Sequence, residues 1–165
     1  MTKDEFKKLF DEQFDRIRNY IYYRLGDKEL ASDIAQDVFM KLWEKDFYYH
    51  PQKNIGLLYK LANEEFISKF RHTKVEENLK GYVRFKLNDE AVKPDEMMEY
   101  EQLKNEYEKT LNEMTEKQRT VFLLSRRDGF KQAEIAKQLG ISIKAVEKRM
   151  KNALSLLRLK LYYYG

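Results

Sequence analysis

The sequence predicts an all-α protein of two small helical domains joined by a linker. The chain of 165 residues contains only two prolines and six glycines, and it is rich in residues with high helix propensity. Apolar residues recur at three- and four-residue steps through most of the chain, which is typical of amphipathic helices. This pattern weakens where charges of both signs alternate before Pro94. We therefore predict domains at residues 1–74 and 95–165, with the linker at residues 75–94.

Helices are predicted in both domains from their apolar stripes and end signals. The first amphipathic segment ends at Gly26, which breaks the pattern. The second carries an apolar stripe that includes Trp43, which we expect in the core. Residues 46–54 contain a proline and turn-forming residues, so they predict a loop before a third long helix. In the second domain, the sequence Thr115-Glu-Lys-Gln118 is a capping box that opens a further helix.

Residues 131–150 have the spacing of a helix-turn-helix, a motif that lays one helix in the major groove of DNA. Ala136 is small where two helices must touch, and Gly140 lies where the turn needs a positive φ. Ser142 can cap the second helix, and Val146 faces the angle between the two helices. The motif predicts DNA binding without specifying its purpose.

Charge supports the DNA-binding interpretation of the motif. Residues 131–160 contain eight basic and two acidic side chains, a net charge of +6, whereas the whole chain carries +4. Basic side chains near the start of the second helix can neutralise phosphates or read guanine, and Glu147 can accept from a cytosine amine. A merely solvated helical face is the alternative interpretation. The candidate contacts to duplex DNA are Lys131, Ser142, Lys144, Glu147, Lys148, Arg149, Lys151 and Asn152.

Several classes of site and of protein are disfavoured by the composition. The chain has no cysteine, and its histidines, His50 and His72, lie far apart without other metal ligands nearby. We therefore expect no disulfide, metal or cofactor. No glycine-rich phosphate loop and no nucleophile with a histidine base is present, so we expect no enzymatic activity. The charged amino terminus and the lack of long apolar runs predict a cytoplasmic protein that does not insert into membranes.

Two further segments give the helix-turn-helix a context. Residues 33–44 read DIAQDVFMKLWE, and residues 57–63 read LLYKLAN. With the carboxyl-terminal helix-turn-helix, these motifs resemble an extracytoplasmic-function sigma factor of bacterial RNA polymerase. The resemblance covers nearly the whole chain, with region 2 of that family at about residues 5–74 and region 4 at about residues 95–165. It implies an alternative sigma factor that binds core RNA polymerase and promoter DNA. Members of this family are often held inactive by an anti-sigma protein, which is a further candidate partner.

The resemblance implies two more binding surfaces. In the family, the polar face of the helix at residues 33–44 docks on the clamp helices of the polymerase, where carboxylates and amides pair with arginines. The following loop and helix capture bases of the melted minus-ten element, because aromatic rings stack on unpaired bases. Packing in the core is an equally weighted alternative for the loop aromatics. The polymerase candidates are Asp33, Gln36, Asp37 and Lys41. The minus-ten candidates are Phe47, Tyr48, Tyr49, Lys60, Asn63, Lys69 and Arg71.

Some positions depart from the family pattern and keep alternatives open. Leu57 replaces a customary tryptophan, and Glu64 and Glu65 bring negative charge where DNA would pass. One alternative is a stand-alone helix-turn-helix regulator that uses its amino-terminal half for dimerisation or effector binding. The other is a sigma-like protein-binding module that has lost promoter recognition, which the two glutamates favour.

Overall fold

The computed structural model of the chain contains seven helices among the residues that it describes. Residues 1–46, 48, 50–80 and 97–161 are described, and within residues 51–54, 70–80 and 97–99 only the backbone is described. This part of the chain contains no strand, so the predicted all-α class is confirmed. It also contains no helix that is long and apolar enough to span a membrane. The helices are α1 (Lys3–Leu25), α2 (Lys28–Glu44), α3 (Pro51–Lys80), α4 (Met97–Glu113), α5 (Glu116–Arg126), α6 (Gln132–Leu139) and α7 (Ile143–Lys160).

The helix ends follow local capping chemistry. Gly26 ends α1 in the left-handed conformation with φ 77°, and the Asp27 side chain caps α2 by accepting from the Leu30 N–H at 3.1 Å. The break predicted at Gly26 is therefore confirmed. The predicted loop over residues 46–54 is too long, because α3 begins at Pro51. Proline suits the first helical position, where its missing N–H would have no intrahelical partner.

Helix α3 also differs from the prediction at its carboxyl-terminal end. It continues to Lys80, through the first part of the predicted linker at residues 75–94. The alternating charges of this segment resemble a linker in composition, yet lysine and glutamate are strong helix formers and extend a helix that is already nucleated. The rest of the predicted linker lies outside the described residues.

Helices α1 to α3 form the amino-terminal bundle. Their facing sides bury aliphatic side chains, among them Ile17, Ile21, Ile34, Val38, Leu58 and Ala62. Trp43 was expected in this core, but it is 42% exposed and packs edge-on against Phe6, with ring centroids 5.0 Å apart. It follows the fully buried Leu42, and one residue turns an α-helix by about 100°, which moves Trp43 to the edge of the buried stripe.

Helices α4 to α7 form the carboxyl-terminal bundle, which contains the predicted helix-turn-helix. Gly140 ends α6 with φ 66°, and the Ser142 hydroxyl caps α7 by accepting from the Ala145 N–H at 3.1 Å. Val146 is fully buried in the angle between α6 and α7. The capping box predicted at Thr115 is present at the start of α5. The core of this bundle includes Leu111, Val121, Leu124, Ile135, Val146 and Ala153.

The two bundles pack directly on each other. Helix α1 contacts α5, and α3 contacts α6. At this interface α1 packs on α5, the second helix of the carboxyl-terminal bundle, and α3 packs on α6, the first helix of the helix-turn-helix.

Candidate nucleic-acid and partner interfaces

One face of α7 is exposed along the first turns of the helix. The opposite face buries Val146, Met150 and Ala153 against the rest of the carboxyl-terminal bundle. Because side chains three and four residues apart share a helix face, the exposed side chains form a continuous surface. This surface is predominantly basic, which suits a helix that enters the major groove of DNA. Its members are Lys144, Glu147, Lys148, Lys151 and Asn152.

The other predicted duplex contacts lie around this face in different environments. The Ser142 side chain is engaged in the cap of α7, although the residue is exposed. Lys131 precedes α6 and has no side-chain oxygen that could cap the helix. Its N–H donates to the Glu134 carboxylate at 3.1 Å, and its carbonyl accepts from the Ile135 N–H at 3.0 Å. Arg149 is half-buried and faces α6 rather than the exposed surface of α7.

The predicted partner surface on α2 is divided into a free part and a paired part. Asp33 and Gln36 are exposed. Asp37 forms an ion pair with Lys69 of α3 at 3.1 Å. The predicted polymerase contact Asp37 is therefore neutralised by Lys69, which was predicted to contact minus-ten DNA. Lys41 forms an ion pair with Glu65. The amino-terminal half of this helix face is therefore the half with uncompensated charge.

The Lys41 ion pair also changes the interpretation of the two glutamates on α3. Glu65 is only 8% exposed and points toward α2, whereas Glu64 is exposed. The expectation that both glutamates bring negative charge to the DNA path was wrong for Glu65. The apolar periodicity did not reveal this, because a buried carboxylate paired with lysine occupies a core position.

The minus-ten candidates are only partly described. Tyr48 is 92% exposed. Phe47 and Tyr49 lie outside the described residues, as does the side chain of Arg71. On α3, Lys60 is exposed and Asn63 is half-buried. These two side chains are three residues apart and lie on the same helix face.

Lys60 and Asn63 line a cleft of about 470 Å³ between the two bundles. The opposite wall is formed by the end of α6 and its turn, residues 137–141, and by Arg149 of α7. Among the charged side chains of the lining, five are basic and one, Glu116, is acidic. The structure thus brings predicted minus-ten residues and a predicted minus-thirty-five residue to the same cleft.

Contacts between the bundles involve residues that were not singled out from the sequence. Arg24 at the end of α1 donates to both carboxylate oxygens of Glu116 in α5, at 2.7 and 3.0 Å. The same guanidinium donates to the Asn63 side-chain oxygen at 2.6 Å and to the Tyr20 hydroxyl at 3.0 Å. It also lies over the Phe66 ring, 3.9 Å from the centroid. Arg24 therefore links two helices of the amino-terminal bundle to the carboxyl-terminal bundle.

Arg119 of α5 caps the carboxyl-terminal end of α1. Its guanidinium donates to the carbonyl oxygens of Tyr23 and Arg24 at 2.5 and 2.7 Å, and to that of Leu111 at 3.2 Å. The last carbonyls of a helix have no intrahelical partner, and a cation there also suits the helix dipole. Burial lowers the pKa of Arg119, which stays protonated because an arginine pKa is so high.

The third contact pairs a tyrosine with a carboxylate. The Tyr23 hydroxyl donates to the Asp128 carboxylate at 2.6 Å. Burial raises the pKa of Asp128, and the hydrogen bond from Tyr23 partly offsets the rise. Burial also raises the pKa of Tyr59, whose hydroxyl is buried without a hydrogen-bond partner among the described residues. No sequence signal marks these pairings, because Tyr23 and Asp128 are 105 positions apart.

Comparison with known proteins gives consistent matches along the chain. A family model described as "Sigma-70 region 2" matches residues 9–75, and one described as "Sigma-70, region 4" matches residues 104–157. The ferric citrate uptake sigma factor FecI of Escherichia coli is 25% identical, over 90% of this chain and 86% of that protein. The RNA polymerase sigma factor SigZ of Bacillus subtilis is 27% identical, over 86% and 78%. The extracytoplasmic-function sigma factor SigW of Bacillus subtilis is 26% identical, over 96% and 90%.

A similar fold is found among solved structures. One is the sigma factor RpoE in complex with the anti-sigma factor NepR from Bartonella quintana. Its TM-score is 0.66 at 22% identity, and the match covers 98% of both chains.

Proposed function

Because this chain belongs to the sigma-70 family, as an alternative sigma factor of the extracytoplasmic-function group, we propose that its two bundles divide promoter recognition between them. The domain boundaries that we propose are 1–74 and 95–165, with the linker between them. The observation that carries the proposal is that motifs of both sigma regions occur in order in one chain, with an exposed basic face on the second helix of the helix-turn-helix.

The amino-terminal bundle is proposed to bind core RNA polymerase through α2. Asp33 and Gln36 are the exposed polar side chains of its first half, and they suit arginines on a partner helix. Asp37 and Lys41 are held in ion pairs with α3. We assign them the role of orienting α2 on α3, with Asp33 providing the unpaired charge for the polymerase.

Single-stranded DNA of the minus-ten element is proposed to bind along the loop before α3 and along α3 itself. The exposed ring of Tyr48 suits stacking on an unpaired base, with Lys60 and Asn63 placed to contact phosphate and base. Captured bases offset the unstacking free energy of a few kcal/mol, so melting needs no nucleotide hydrolysis in this scheme.

The minus-thirty-five element is proposed to bind as duplex on the exposed face of α7. Lys144, Lys148 and Lys151 supply phosphate and guanine contacts, and Glu147 restricts the base that it faces. We infer that the chain acts by binding alone, without catalysis, and in the cytoplasm, where bacterial polymerase and chromosome are found. The complex recorded for RpoE makes an anti-sigma protein a proposed partner of this chain also.

The proposal is tested by binding to core RNA polymerase, followed by run-off transcription from promoters selected out of a random library. The decisive variant is Asp33→Lys, and Glu12→Lys is its matched control, since Glu12 is an exposed acid of α1 in the same bundle. We expect Asp33→Lys to weaken polymerase binding about tenfold or more, because like charges opposed at an interface are strongly unfavourable. Duplex binding by the free chain is expected to stay unchanged in both variants.

The outcomes separate the three functions that the sequence left open. Wild-type protein that binds duplex but not core polymerase would be a stand-alone helix-turn-helix regulator. Binding to polymerase without transcription would identify a module that has lost promoter recognition. Equal loss of polymerase binding in Asp33→Lys and Glu12→Lys would remove α2 from the proposed interface.

A further inference from the structure

We propose that the cleft between the two bundles is a binding site for a polyphosphate anion, of the kind that nucleoside di- and triphosphates carry. Cationic side chains from both bundles line this cleft, and the single carboxylate among them is that of Glu116. The inference goes beyond the proposed function, which assigns no small ligand to the chain. The cations of the lining are Arg24, Lys60, Lys117, Lys137 and Arg149.

Most of the positive charge in the cleft is not neutralised by the protein. Glu116 is engaged by Arg24, whose guanidinium donates to both of its carboxylate oxygens at 2.7 and 3.0 Å. Within the part of the chain that the structure describes, none of the other four cations of the lining forms an ion pair. Five positive charges and one negative charge leave the cleft with a net charge of +4. A concave surface with charge of one sign focuses its field and concentrates ions of the opposite sign.

The unpaired cations lie on both walls, so a ligand between them can contact several at once. Lys60 belongs to α3 of the amino-terminal bundle, whereas Lys137 and Arg149 belong to the two helices of the helix-turn-helix. Burial raises the pKa of Tyr20 in α1, and the positive charge of Arg149 is among the influences that oppose the rise. Arg149 therefore acts across the cleft on a side chain of the other bundle. Like charges around one cavity repel each other, and an anion between them relieves that repulsion.

The size of the cleft and its donors suit a short polyphosphate. Its volume of about 470 Å³ lies within the range of about 300–1,000 Å³ that is usual for small-molecule sites. A cube of this volume has an edge of about 8 Å, less than the width of about 12 Å of the major groove alone, so a DNA duplex is too wide to enter. Ammonium and guanidinium groups both donate to phosphate oxygens. Two or three linked phosphates match the four unpaired cations, since each phosphate bears about one to two negative charges.

A buried acceptor in the lining indicates that the phosphate chain is attached to a group with hydrogen-bond donors. The side-chain oxygen of Gln138 is buried and has no hydrogen-bond partner among the described residues. A buried acceptor without a donor is unfavourable, so a ligand that supplies a donor gains affinity. A nucleoside has hydroxyl and amine donors, whereas an ionised inorganic polyphosphate has acceptor oxygens. We therefore expect ATP to bind more tightly than tripolyphosphate, which is the minimal ligand.

The site is tested by isothermal titration calorimetry on the full chain. The probes are sodium tripolyphosphate, ATP and sodium sulfate, at equal ionic strength and without divalent cations. The cleft variant combines Lys117→Ala with Lys137→Ala, two exposed cations that have no role in the proposed function. The matched control combines Lys8→Ala with Lys109→Ala, which removes the same charge from exposed positions on α1 and α4 outside the cleft.

We expect the wild type and the control variant to bind tripolyphosphate alike, and the cleft variant to bind it about tenfold more weakly or worse. The factor follows because losing one charge-assisted hydrogen bond weakens binding by about tenfold. Sulfate should bind the wild type about tenfold more weakly than tripolyphosphate does, because one small anion cannot contact both walls. Failure of the wild type to bind tripolyphosphate, equal losses in the two double variants, or sulfate binding as tight as that of tripolyphosphate would each overturn the proposal. Equal affinities for ATP and tripolyphosphate would support the site and identify the phosphate chain as all that it recognises.

A charge-neutral variant tests whether the ligand lies inside the cleft. Gly56 of α3 lines the cleft, and a Cβ built on it meets no heavy atom within 4 Å. Gly56→Leu therefore adds an apolar side chain at the cleft without changing any charge. Ser68→Leu, at an exposed position of the same helix outside the cleft, is its control. Gly56→Leu should weaken tripolyphosphate binding severalfold relative to Ser68→Leu, and equal affinities would contradict binding in the cleft.

Single-stranded DNA is the rival occupant of a basic cleft. If a strand of six thymidines bound the wild type more tightly than ATP and lost affinity in the Lys117→Ala and Lys137→Ala variant, the cleft would be a strand-binding channel and the proposal would be wrong. Run-off transcription with core polymerase keeps the inference apart from the proposed function. Wild-type protein that transcribes but binds no tripolyphosphate would refute the site and leave the sigma-factor function intact.

Discussion

The turn of the helix-turn-helix provides a sharp test of backbone energetics at Gly140. This residue has φ 66° and ψ 34°, and a Cβ built on it meets no heavy atom within 4 Å. Substitution by alanine therefore changes the backbone preference without a steric clash. Gly56 in α3 has equally open space around its Cβ but lies within a helix and is not among the positive-φ glycines. The two glycines form a matched pair that differs in conformation.

The two substitutions are expected to change the free energy of unfolding in opposite directions. Alanine in the left-handed conformation costs about 1–2 kcal/mol, and the reduced entropy of the unfolded chain returns about 0.4–1 kcal/mol. Gly140→Ala is therefore expected to lower the free energy of unfolding by about 0.5–1 kcal/mol. Gly56→Ala is expected to raise it by about 0.5–1 kcal/mol, since glycine is unfavourable inside a helix. Gly140→Asn should lose less than Gly140→Ala, because asparagine tolerates this conformation.

Urea unfolding followed by far-ultraviolet circular dichroism measures these differences, with the wild type and both glycine variants in parallel. Gly140→Ala should also weaken duplex binding, because the turn sets the angle at which α7 projects. If Gly140→Ala and Gly56→Ala shifted stability in the same direction, backbone conformation would not be what makes glycine favourable at the turn.

Two further predictions concern charge at the interface and on α7. Burial raises the pKa of Asp128 above its usual value of about 3.9, so this carboxyl stabilises the folded state most at low pH, and the contribution is lost as pH rises through the folded-state pKa. Asp128→Asn should therefore reduce the loss of stability between pH 4 and pH 7 in urea unfolding, and an unchanged pH dependence would refute this assignment. Glu147→Ala should bind a random duplex a few-fold more tightly, because it removes a negative charge from the surface facing the phosphates. Selection from a duplex library should return a different motif for Glu147→Ala than for the wild type, and an unchanged motif would show that Glu147 reads no base. Lys148→Ala is the control, because losing a phosphate contact should weaken binding to all sequences.

Local sequence signals predicted the helices and their caps well. Gly26, Thr115, Gly140 and Ser142 are recognisable in the sequence as helix ends, and each acts within a few residues of its own position. Capping and left-handed turns depend on neighbours along the chain, so the sequence contains the information that determines them. Pro51 shows the limit of such local signals, because a proline typical of a loop here begins a helix.

Side-chain environments were predicted less well where a residue lies at the edge of a helix face. Trp43 was expected to be buried and is 42% exposed, whereas Glu65 was expected to face DNA and is buried. Both depend on which neighbouring helix covers a given side of α2 or α3. That choice is made by tertiary packing, and the periodicity of one helix does not contain it.

The sequence by itself determined the all-α class, the helix-turn-helix, its basic surface and the resemblance to a sigma factor. Each of these rests on residues close together in the chain, or on motifs recognisable one at a time. Only the tertiary structure decided that Lys60 and Asn63 face the helix-turn-helix and that Arg24, Glu116 and Arg119 join the bundles. The contacts of the two arginines connect residues more than 90 positions apart, and they form only once both bundles have folded and packed.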